Sequence, residues 1–325
     1  MKEIKDVLFV GAGAVGVTFA GIIAERFPKA VRVLADGERL SRYREQGFIV
    51  NGKRYDFPVV TPAGAAKADL IIVGVKNHHI PQAVSDMKNA VGPDTLILSL
   101  LNGITSEDEL TGAFGAEKVP YAMILGIDAV REGNGTRYSS PGKIHFGDAA
   151  NAEGAWSGRV SRIASFFGRT GVPFTVPPNM VRNLWYKFMI NVGINQVSAV
   201  IRAPYRVFQT DPHAQAVMDS AMAEVVSLSR AKGTGLVDSD IQAWRKTLAG
   251  LGPESKTSML QDVEAGRKTE VEAFAGTVIS QGRDAGVDVP VNTILYDLIK
   301  AIERGFPAAE EDFHGMESES YPGKG

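Results

Sequence analysis

The sequence has no cysteine, little net charge and no long hydrophobic run, and each absence excludes a class of protein. Without cysteine among its 325 residues, the chain forms no disulfide, no thiolate metal site and no cysteine nucleophile. The five histidines show no metal-ligand spacing, so we expect no metal site. A formal net charge of −2, with Lys and Arg evenly spread, gives no electrostatic footprint for nucleic acid.

The apolar stretches are too short to span a membrane. Lys2 and Lys5 precede an apolar stretch, as they do in a secretory signal, but Glu3 and Asp6 interrupt this basic region. We therefore expect a cytoplasmic protein with no membrane partner. The hydrophobic share of 44% is ordinary for a globular chain, and 325 residues are enough for two domains.

Residues 7–36 have the spacing of a dinucleotide-binding unit. An apolar run leads into Gly11-Ala-Gly-Ala-Val-Gly16, a helical pattern follows, and a second apolar run ends in Asp36. Gly11 permits the tight turn, Gly13 lets the backbone approach a pyrophosphate, and Gly16 lets the helix pack close to the strand. The N–H groups at the start of the helix can hold the phosphates. This stretch predicts a Rossmann-type nucleotide site.

Apolar runs alternate with helical patterns up to a pair of prolines at 177–178. This alternation predicts an α/β fold, with a Rossmann-type, mainly parallel sheet domain over residues 1–178. Asn51-Gly52 lies between two apolar runs and predicts a hairpin appended to that sheet. Residues 119–146 predict antiparallel strands that close one side of the sheet.

Two polar residues follow apolar runs in this first half. Lys76 comes after the run at 70–75, and Asn102 comes after the run at 95–99. Ligands of parallel sheets bind beyond the carboxyl ends of the strands. Both side chains are therefore candidates for the nucleotide site.

Beyond residue 178 the sequence has helical patterns alone. They predict helices over about residues 180–202, 209–233, 238–249, 258–285 and 291–304. A mixed half followed by a helical half predicts two domains with a cleft between them, the all-helical domain covering residues 179–307. Residues 308–325 have the composition of a flexible tail.

A polar stripe interrupts one of the predicted helices. Residues 183–195 are apolar nearly all round, which is typical of a buried helix. Lys187, Asn191 and Asn195 break this pattern at intervals of four and so share one face. Because buried polar groups need partners, the stripe is either an internal polar network or the lining of a ligand cleft.

Ser258 and Glu270 belong to a later helical stretch. Ser258 with Gln261 three residues later predicts a capping box, and the same helix start can hold a substrate carboxylate. Glu270 falls at the edge of an apolar stripe, where a carboxylate needs a cation. Lys187 is the first candidate for that cation, and Arg267 is the second.

Together these motifs resemble the ketopantoate reductase family over residues 5–304. The resemblance rests on Gly11–Gly16, Leu100-Leu-Asn-Gly103, Trp185-Tyr-Lys187 with Asn191 and Asn195, and Ser258-Met-Leu-Gln-Asp262 leading to Thr269-Glu270. It implies that Lys187 is the general acid and that Glu270 supports it. The implied binding residues are Asn191, Asn195 and Ser258 for the substrate, Asn102 for substrate and cofactor, and Lys76 for the cofactor. The implied reaction is the NADPH-dependent reduction of 2-dehydropantoate to pantoate in pantothenate biosynthesis.

Asp36 departs from the pattern of that family. Members that use NADPH typically carry an arginine in Ala-Arg-Gly-Glu after the second strand, whereas this sequence has Ala35-Asp36-Gly37-Glu38. An acid there accepts hydrogen bonds from the ribose 2′-hydroxyl and repels a 2′-phosphate, which favours NADH. Arg39, Arg42 and Lys76 are cations that can offset this one carboxylate. The alternative role for Asp36 is to cap the helix that begins near Glu38.

Three functions remain open from the sequence. The favoured one is a reductase of a 2-keto acid, foremost 2-dehydropantoate, acting as a monomer or homodimer. The second is an NAD-dependent D-2-hydroxyacid dehydrogenase of the mandelate type on the same fold. The third is a non-catalytic sensor of the nicotinamide pool, which has no use for a buried Lys187 and Glu270.

Overall fold

The computed structural model describes residues 2–133 and 135–306. The strands are β1 Val7–Val10, β2 Val31–Leu34, β3 Phe48–Val50, β4 Lys53–Tyr55, β5 Val59–Val60, β6 Leu70–Val73, β7 Leu96–Ser99, β8 Tyr121–Ile127, β9 Val130–Glu132, β10 Gly135–Arg137, β11 Pro141–Gly147 and β12 Phe174–Thr175. The helices are α1 Ala14–Arg26, α2 Gly37–Gln46, α3 Ile80–Met87, α4 Ser106–Phe114, α5 Gly158–Thr170, α6 Met180–Ile190, α7 Gln196–Ile201, α8 Tyr205–Thr210, α9 Pro212–Lys232, α10 Ser239–Ala249, α11 Ser258–Glu264, α12 Thr277–Ala285 and α13 Pro290–Arg304. The predicted tail at 308–325 lies outside the described residues.

The central sheet has the strand order β5-β2-β1-β6-β7, and every neighbouring pair is parallel. Strands β1, β6 and β7 are buried along their whole length, as expected of a parallel sheet covered on both faces. Val10 pairs with Val73, and Val73 pairs with Ser99, so these strands end at one edge. The predicted fold class is confirmed, and this edge is where the candidate nucleotide residues meet.

The predicted hairpin forms at Asn51-Gly52, where both residues have positive φ, at 48° and 82°. It is not appended to the central sheet, so that part of the prediction is wrong. Instead β3 pairs with β10, and a separate four-stranded sheet has the order β4-β3-β10-β9. The turn sequence specifies the hairpin, but its sheet partner is set by pairing between Ile49 and Gly135, which local sequence does not encode.

The antiparallel strands predicted over residues 119–146 are present. Strands β8 and β11 pair antiparallel, and β12 joins β11 in parallel, which gives a three-stranded sheet of their own. The residues after them form helices, beginning with α6. The Asn179 side chain caps α6 by accepting from the N–H of Arg182 at 2.9 Å. We call the part up to β12 the sheet half and the part from α6 onward the helical half.

Two of the long helices predicted in the helical half are interrupted. The one predicted at 209–233 breaks at Asp211, whose extended backbone ends α8 and whose carboxylate caps α9. The one predicted at 258–285 breaks after α11, where Gly266 has a φ of 62° and Arg267 N–H donates to Asp262 O. The prediction of a continuous helix over residues 258–285 is therefore wrong. Glu270 lies in the loop that interrupts it.

Each half has its own hydrophobic core. Side chains from the central sheet, α1 and α5 form one core, while α6, α7, α9 and α13 contribute to another. Within the described residues, no helix combines the length and hydropathy needed to cross a bilayer.

Candidate active site

The glycine turn after β1 requires glycine at two positions for steric reasons. A Cβ on Gly11, which has a φ of 99°, would lie 2.7 Å from the Gly74 backbone, and one on Gly16 would lie 2.3 Å from Gly11 O. At Gly13 the nearest atom would be 3.7 Å away, so a ligand can approach the backbone there. No side chain caps α1 at Gly13. The turn therefore fits a dinucleotide pyrophosphate.

An open groove lies beside this turn. It is lined by Asp36, Arg39, Tyr43 and His79, among others. Asp36 caps α2 through Oδ1, which accepts from Gly37 N–H at 2.8 Å. Its Oδ2 has no hydrogen bond within the described residues, so the capping role leaves one oxygen for a ribose hydroxyl. Burial, with the charges of Arg39 and Lys268, lowers the pKa of His79, which leaves Arg39 as the cation lining the groove at neutral pH.

Arg131, for which no sequence motif indicated a role, also reaches the turn. Its guanidinium donates to Ala12 O inside the glycine motif and to Gly133 O at 2.9 Å. It also lies 5.9 Å from the ring centre of Tyr43. A cation is thus placed next to the backbone where a pyrophosphate would bind.

Asn102 links Lys187 to Glu270. Lys187 Nζ donates to Asn102 Oδ1 at 3.0 Å, and Asn102 Nδ2 donates to Glu270 Oε2 at 3.0 Å. Neither of the two cations predicted for Glu270 contacts it directly. Asn102 lies between Lys187 and Glu270. Arg267 forms an ion pair with Asp262 instead, at 2.9 Å. The structure joins Lys187, Asn102 and Glu270 in one chain of hydrogen bonds.

Lys76 reaches from the sheet half to the helical half. Its Nζ lies 2.9 Å from Asp262 Oδ2 and 3.7 Å from Glu270 Oε2. Burial lowers the pKa of Lys76, but the charges of Glu270 and Asp262 outweigh it and hold the pKa above its ordinary value. The cation beside Glu270 is therefore Lys76, which the sequence assigned to the cofactor.

Burial lowers the pKa of Lys187 to about 8, against the opposing charges of Glu270 and Glu107. A lysine with this pKa is mostly protonated at neutral pH and releases its proton more readily than a solvated lysine does. Lys187 therefore has the protonation behaviour of a general acid.

Glu107, in the first turn of α4, is a second buried carboxylate near Lys187. Burial raises its pKa to about 7, although it accepts from Ser106 Oγ at 2.9 Å and from Ala122 N–H at 3.3 Å. Its side chain is 5% exposed. The acidic run Glu107-Asp-Glu109 is typical of a solvated helix start, so the sequence contains no signal for this burial.

Asn191 and Asn195 begin and end a π-helical turn, Asn191–Asn195, between α6 and α7. Such turns are frequent at functional sites. Asn195 Nδ2 donates to Ser258 Oγ at 3.4 Å, and Asn191 Nδ2 is buried without a partner in the described part of the chain. The structure thus brings Asn195 and Ser258 together, and it places this Asn191 donor at the other end of the same turn.

Ser258 does not cap α11, contrary to the predicted capping box. The cap is Thr257, whose backbone is extended and whose Oγ1 accepts from Leu260 N–H at 3.1 Å. Ser258 is already the first helical residue, and its side chain is exposed. The Ser258 hydroxyl is therefore not used by the helix. Across residues 2–133 and 135–306, no group of three His, Asp or Glu side chains is arranged to hold a metal.

A parallel sheet with a glycine turn, whose edge carries an asparagine hydrogen-bonded to a lysine and a glutamate of the helical half, is typical of a dinucleotide-binding protein of the oxidoreductase class. The family model "Ketopantoate reductase PanE/ApbA" matches residues 7–151, and "Ketopantoate reductase PanE/ApbA C terminal" matches residues 179–303. The chain belongs to the ketopantoate reductase family, as its motifs indicated.

Individual relatives agree with the family assignment. The chain is 28% identical to the 2-dehydropantoate 2-reductase of Halobacterium salinarum, over 92% of this chain and 99% of that protein. It is 26% identical to the 2-dehydropantoate 2-reductase of Pyrococcus horikoshii, over 91% of this chain and 97% of that protein. Among solved structures, a PanE/ApbA family ketopantoate reductase from Ralstonia eutropha has a TM-score of 0.80 at 26% identity, covering 92% and 98%.

The fold is also that of a D-mandelate dehydrogenase solved with NADH. The TM-score is 0.83 at 20% identity, with 93% of this chain and 100% of that chain covered. At this identity the likeness concerns the fold alone.

Proposed function

We propose that the protein reduces the ketone of a 2-keto acid, with 2-dehydropantoate as its substrate and a nicotinamide as its cofactor. The hydrogen-bonded chain Lys187–Asn102–Glu270, at the edge of the sheet that carries the glycine turn, is the observation that carries this proposal. The names of the relatives support the choice of substrate.

Reduction needs a hydride at the carbonyl carbon and a proton at its oxygen. A reduced nicotinamide held at the glycine turn would supply the hydride. Lys187 donates the proton as negative charge develops on the oxygen, because its pKa of about 8 suits transfer near neutral pH. Asn102 holds the Lys187 ammonium in place, and Glu270 holds Asn102.

The substrate is proposed to bind through Asn191, Asn195 and Ser258. Asn195 is buried beside the exposed Ser258 hydroxyl, and Asn191 Nδ2 has no partner within the described residues. These groups offer hydrogen bonds to a carboxylate and a hydroxyl, which are the polar groups of 2-dehydropantoate apart from its ketone. The buried polar donors would discriminate against substrates that leave them unpaired.

For the cofactor we propose NADH. The Gly11–Gly16 turn and Arg131 would hold the pyrophosphate, and Asp36 Oδ2 would accept from the ribose 2′-hydroxyl. Lys76 lies at the same edge of the sheet, and we propose that it contacts the cofactor there, as the family resemblance implies. The alternative is NADPH, the cofactor that the resemblance to the family implies, with Arg39 as the cation for the 2′-phosphate.

A second candidate is a mandelate-type dehydrogenase using NADH, which Asp36 also fits. Steady-state oxidation of NADH and NADPH should be measured with 2-dehydropantoate and with benzoylformate, the keto acid that corresponds to mandelate. We expect turnover with 2-dehydropantoate. Turnover with benzoylformate alone would favour the dehydrogenase, and cofactor binding without turnover of any 2-keto acid would favour the sensor.

A further inference from the structure

We infer that Asn77 is a positioning residue that fixes the orientation of the Glu270 carboxylate, and through it the Asn102–Lys187 contact. This inference rests on the proposed function. Asn77 follows Lys76 in the loop after β6 and begins the 3₁₀ turn Asn77–His79.

Asn77 and Asn102 hold the two oxygens of Glu270 separately. Asn77 Nδ2 donates to Glu270 Oε1 at 3.0 Å, and Asn102 Nδ2 donates to Glu270 Oε2 at 3.0 Å. Asn77 Nδ2 also donates to the backbone oxygen of Asn102 at 3.0 Å. One amide therefore ties the Glu270 carboxylate to the turn that carries Asn102.

The orientation of the Asn77 amide follows from its partners. Both are acceptors, so a flipped amide would place Oδ1 against a carboxylate and a carbonyl. In the present orientation Oδ1 is buried without a partner in the described chain. Buried polar groups are usually paired, and an unpaired Oδ1 is unfavourable. The two hydrogen bonds that Nδ2 donates, to Glu270 and to Asn102 O, nevertheless require this orientation.

The same reasoning extends to Asn102. Its Nδ2 faces the Glu270 carboxylate, which leaves its Oδ1 to accept from Lys187. If Glu270 rotated, the Asn102 amide would lose the partner that sets its orientation. Lys76 Nζ lies 3.7 Å from Glu270 Oε2, and its charge attracts the carboxylate away from this orientation. Asn77 thus holds Glu270 where it keeps Asn102 aligned with Lys187.

The test begins with Asn77→Ala and Asn77→Asp. The first removes the donor, and the second places a carboxylate against Glu270. We expect Asn77→Ala to lower kcat for 2-dehydropantoate between about 10- and 100-fold, the range for a misplaced catalytic group, and Asn77→Asp to lower it further. Cofactor affinity, measured by fluorescence titration, should stay unchanged. Asn89→Ala is the matched control, because Asn89 is exposed and, among the described residues, its side chain donates to Pro62 O alone.

A double-mutant cycle separates positioning from a general structural effect. If Asn77 acts through Glu270, Asn77→Ala should cost much less kcat in a Glu270→Ala background than in the wild type. An equal loss in both backgrounds, or a wild-type kcat for Asn77→Ala, would overturn the inference.

The same cycle on the free energy of unfolding keeps the inference testable if the wild type does not turn over 2-dehydropantoate. Absence of turnover overturns the proposed function alone. Additive unfolding free energies for the two substitutions would show that Asn77 does not hold Glu270, and a non-additive result supports the inference.

Discussion

Lys187 and Glu270 are joined through one amide and do not touch, because Asn102 accepts from the lysine and donates to the carboxylate, each at 3.0 Å. A direct ion pair would have stabilised the ammonium strongly and made its proton harder to release. The intervening amide keeps the negative charge near, while burial still lowers the pKa of Lys187 to about 8.

The first prediction concerns Lys187→Ala. Removal of the proton donor should lower turnover about 10²- to 10⁴-fold, the usual contribution of general acid catalysis. Cofactor affinity should change little, because the lysine is not part of the glycine turn. Steady-state kinetics and fluorescence titration measure the two effects. Lys67→Ala, at an exposed lysine that donates to Val91 O, is the control; wild-type turnover in folded Lys187→Ala would refute the mechanism.

The second prediction concerns the pH dependence of turnover. Because the proposed mechanism needs a protonated Lys187, kcat should fall as the pH rises through about 8. Glu107→Gln removes a charge that raises the pKa of Lys187, so the falling limb should move to lower pH. Glu109→Gln, at an exposed position of the same helix, should leave the limb in place. A limb that did not move in Glu107→Gln would exclude this electrostatic coupling.

The third prediction concerns stability. Glu107 binds its proton more tightly in the folded chain, with a pKa of about 7 against an ordinary value of 4.5. The folded state therefore binds more protons between these values, and stability falls as the pH rises through about 7. At about 1.4 kcal/mol per pH unit, the loss approaches about 3 kcal/mol.

Glu107→Gln has no carboxyl to ionise, so its free energy of unfolding relative to the wild type should rise by about 2.5 kcal/mol between pH 5 and pH 8. Chemical denaturation at both pH values measures this difference. An unchanged difference would mean that Glu107 is solvated in the folded chain.

The fourth prediction separates two neighbouring hydroxyls. Thr257 caps α11, so Thr257→Ala should cost about 0.5–2 kcal/mol of stability. Ser258 does not cap, so Ser258→Ala should keep the stability of the wild type but raise KM for the keto acid. Thermal unfolding and steady-state kinetics on the two variants provide the comparison. A wild-type KM for Ser258→Ala would remove it from the substrate site.

The fifth prediction concerns Asp36→Arg. It removes the acceptor for the ribose 2′-hydroxyl and adds a partner for a 2′-phosphate, so kcat/KM should shift toward NADPH by more than about tenfold. The dissociation constant should rise for NADH and fall for NADPH. A wild type that strongly prefers NADPH, and keeps that preference in Asp36→Asn, would show that Asp36 points away from the ribose.

The glycine turn and the buried polar stripe could be found from sequence because each depends on local spacing. Gly11 and Gly16 occupy positions where no side chain fits, and Asn191 and Asn195 interrupt an otherwise apolar helix. Each of these patterns lies within a short stretch of the sequence. The parallel sheet followed from the same kind of evidence.

Other parts of the site depend on contacts that no local pattern encodes. Arg131 contacts Ala12 of the glycine turn, which is 119 residues away in the sequence. Asn77 contacts Glu270, which is 193 residues away. Glu107 belongs to an acidic run that is ordinary for an exposed helix start, but in the fold it is buried and accepts from the N–H of Ala122 on β8. The break at Gly266 was missed because the apolar periodicity continues across it.

The hydrogen bonds that join the sheet half to the helical half affect the order of folding. Lys76–Asp262, Asn102–Glu270 and Lys187–Asn102 join residues that are 186, 168 and 85 positions apart. Contacts of such long range form late, because the loop-closure entropy must be overcome first. The glycine turn, in contrast, is complete within one strand–turn–helix unit. During refolding, nucleotide binding should therefore recover before turnover does, with a measurable lag between the two.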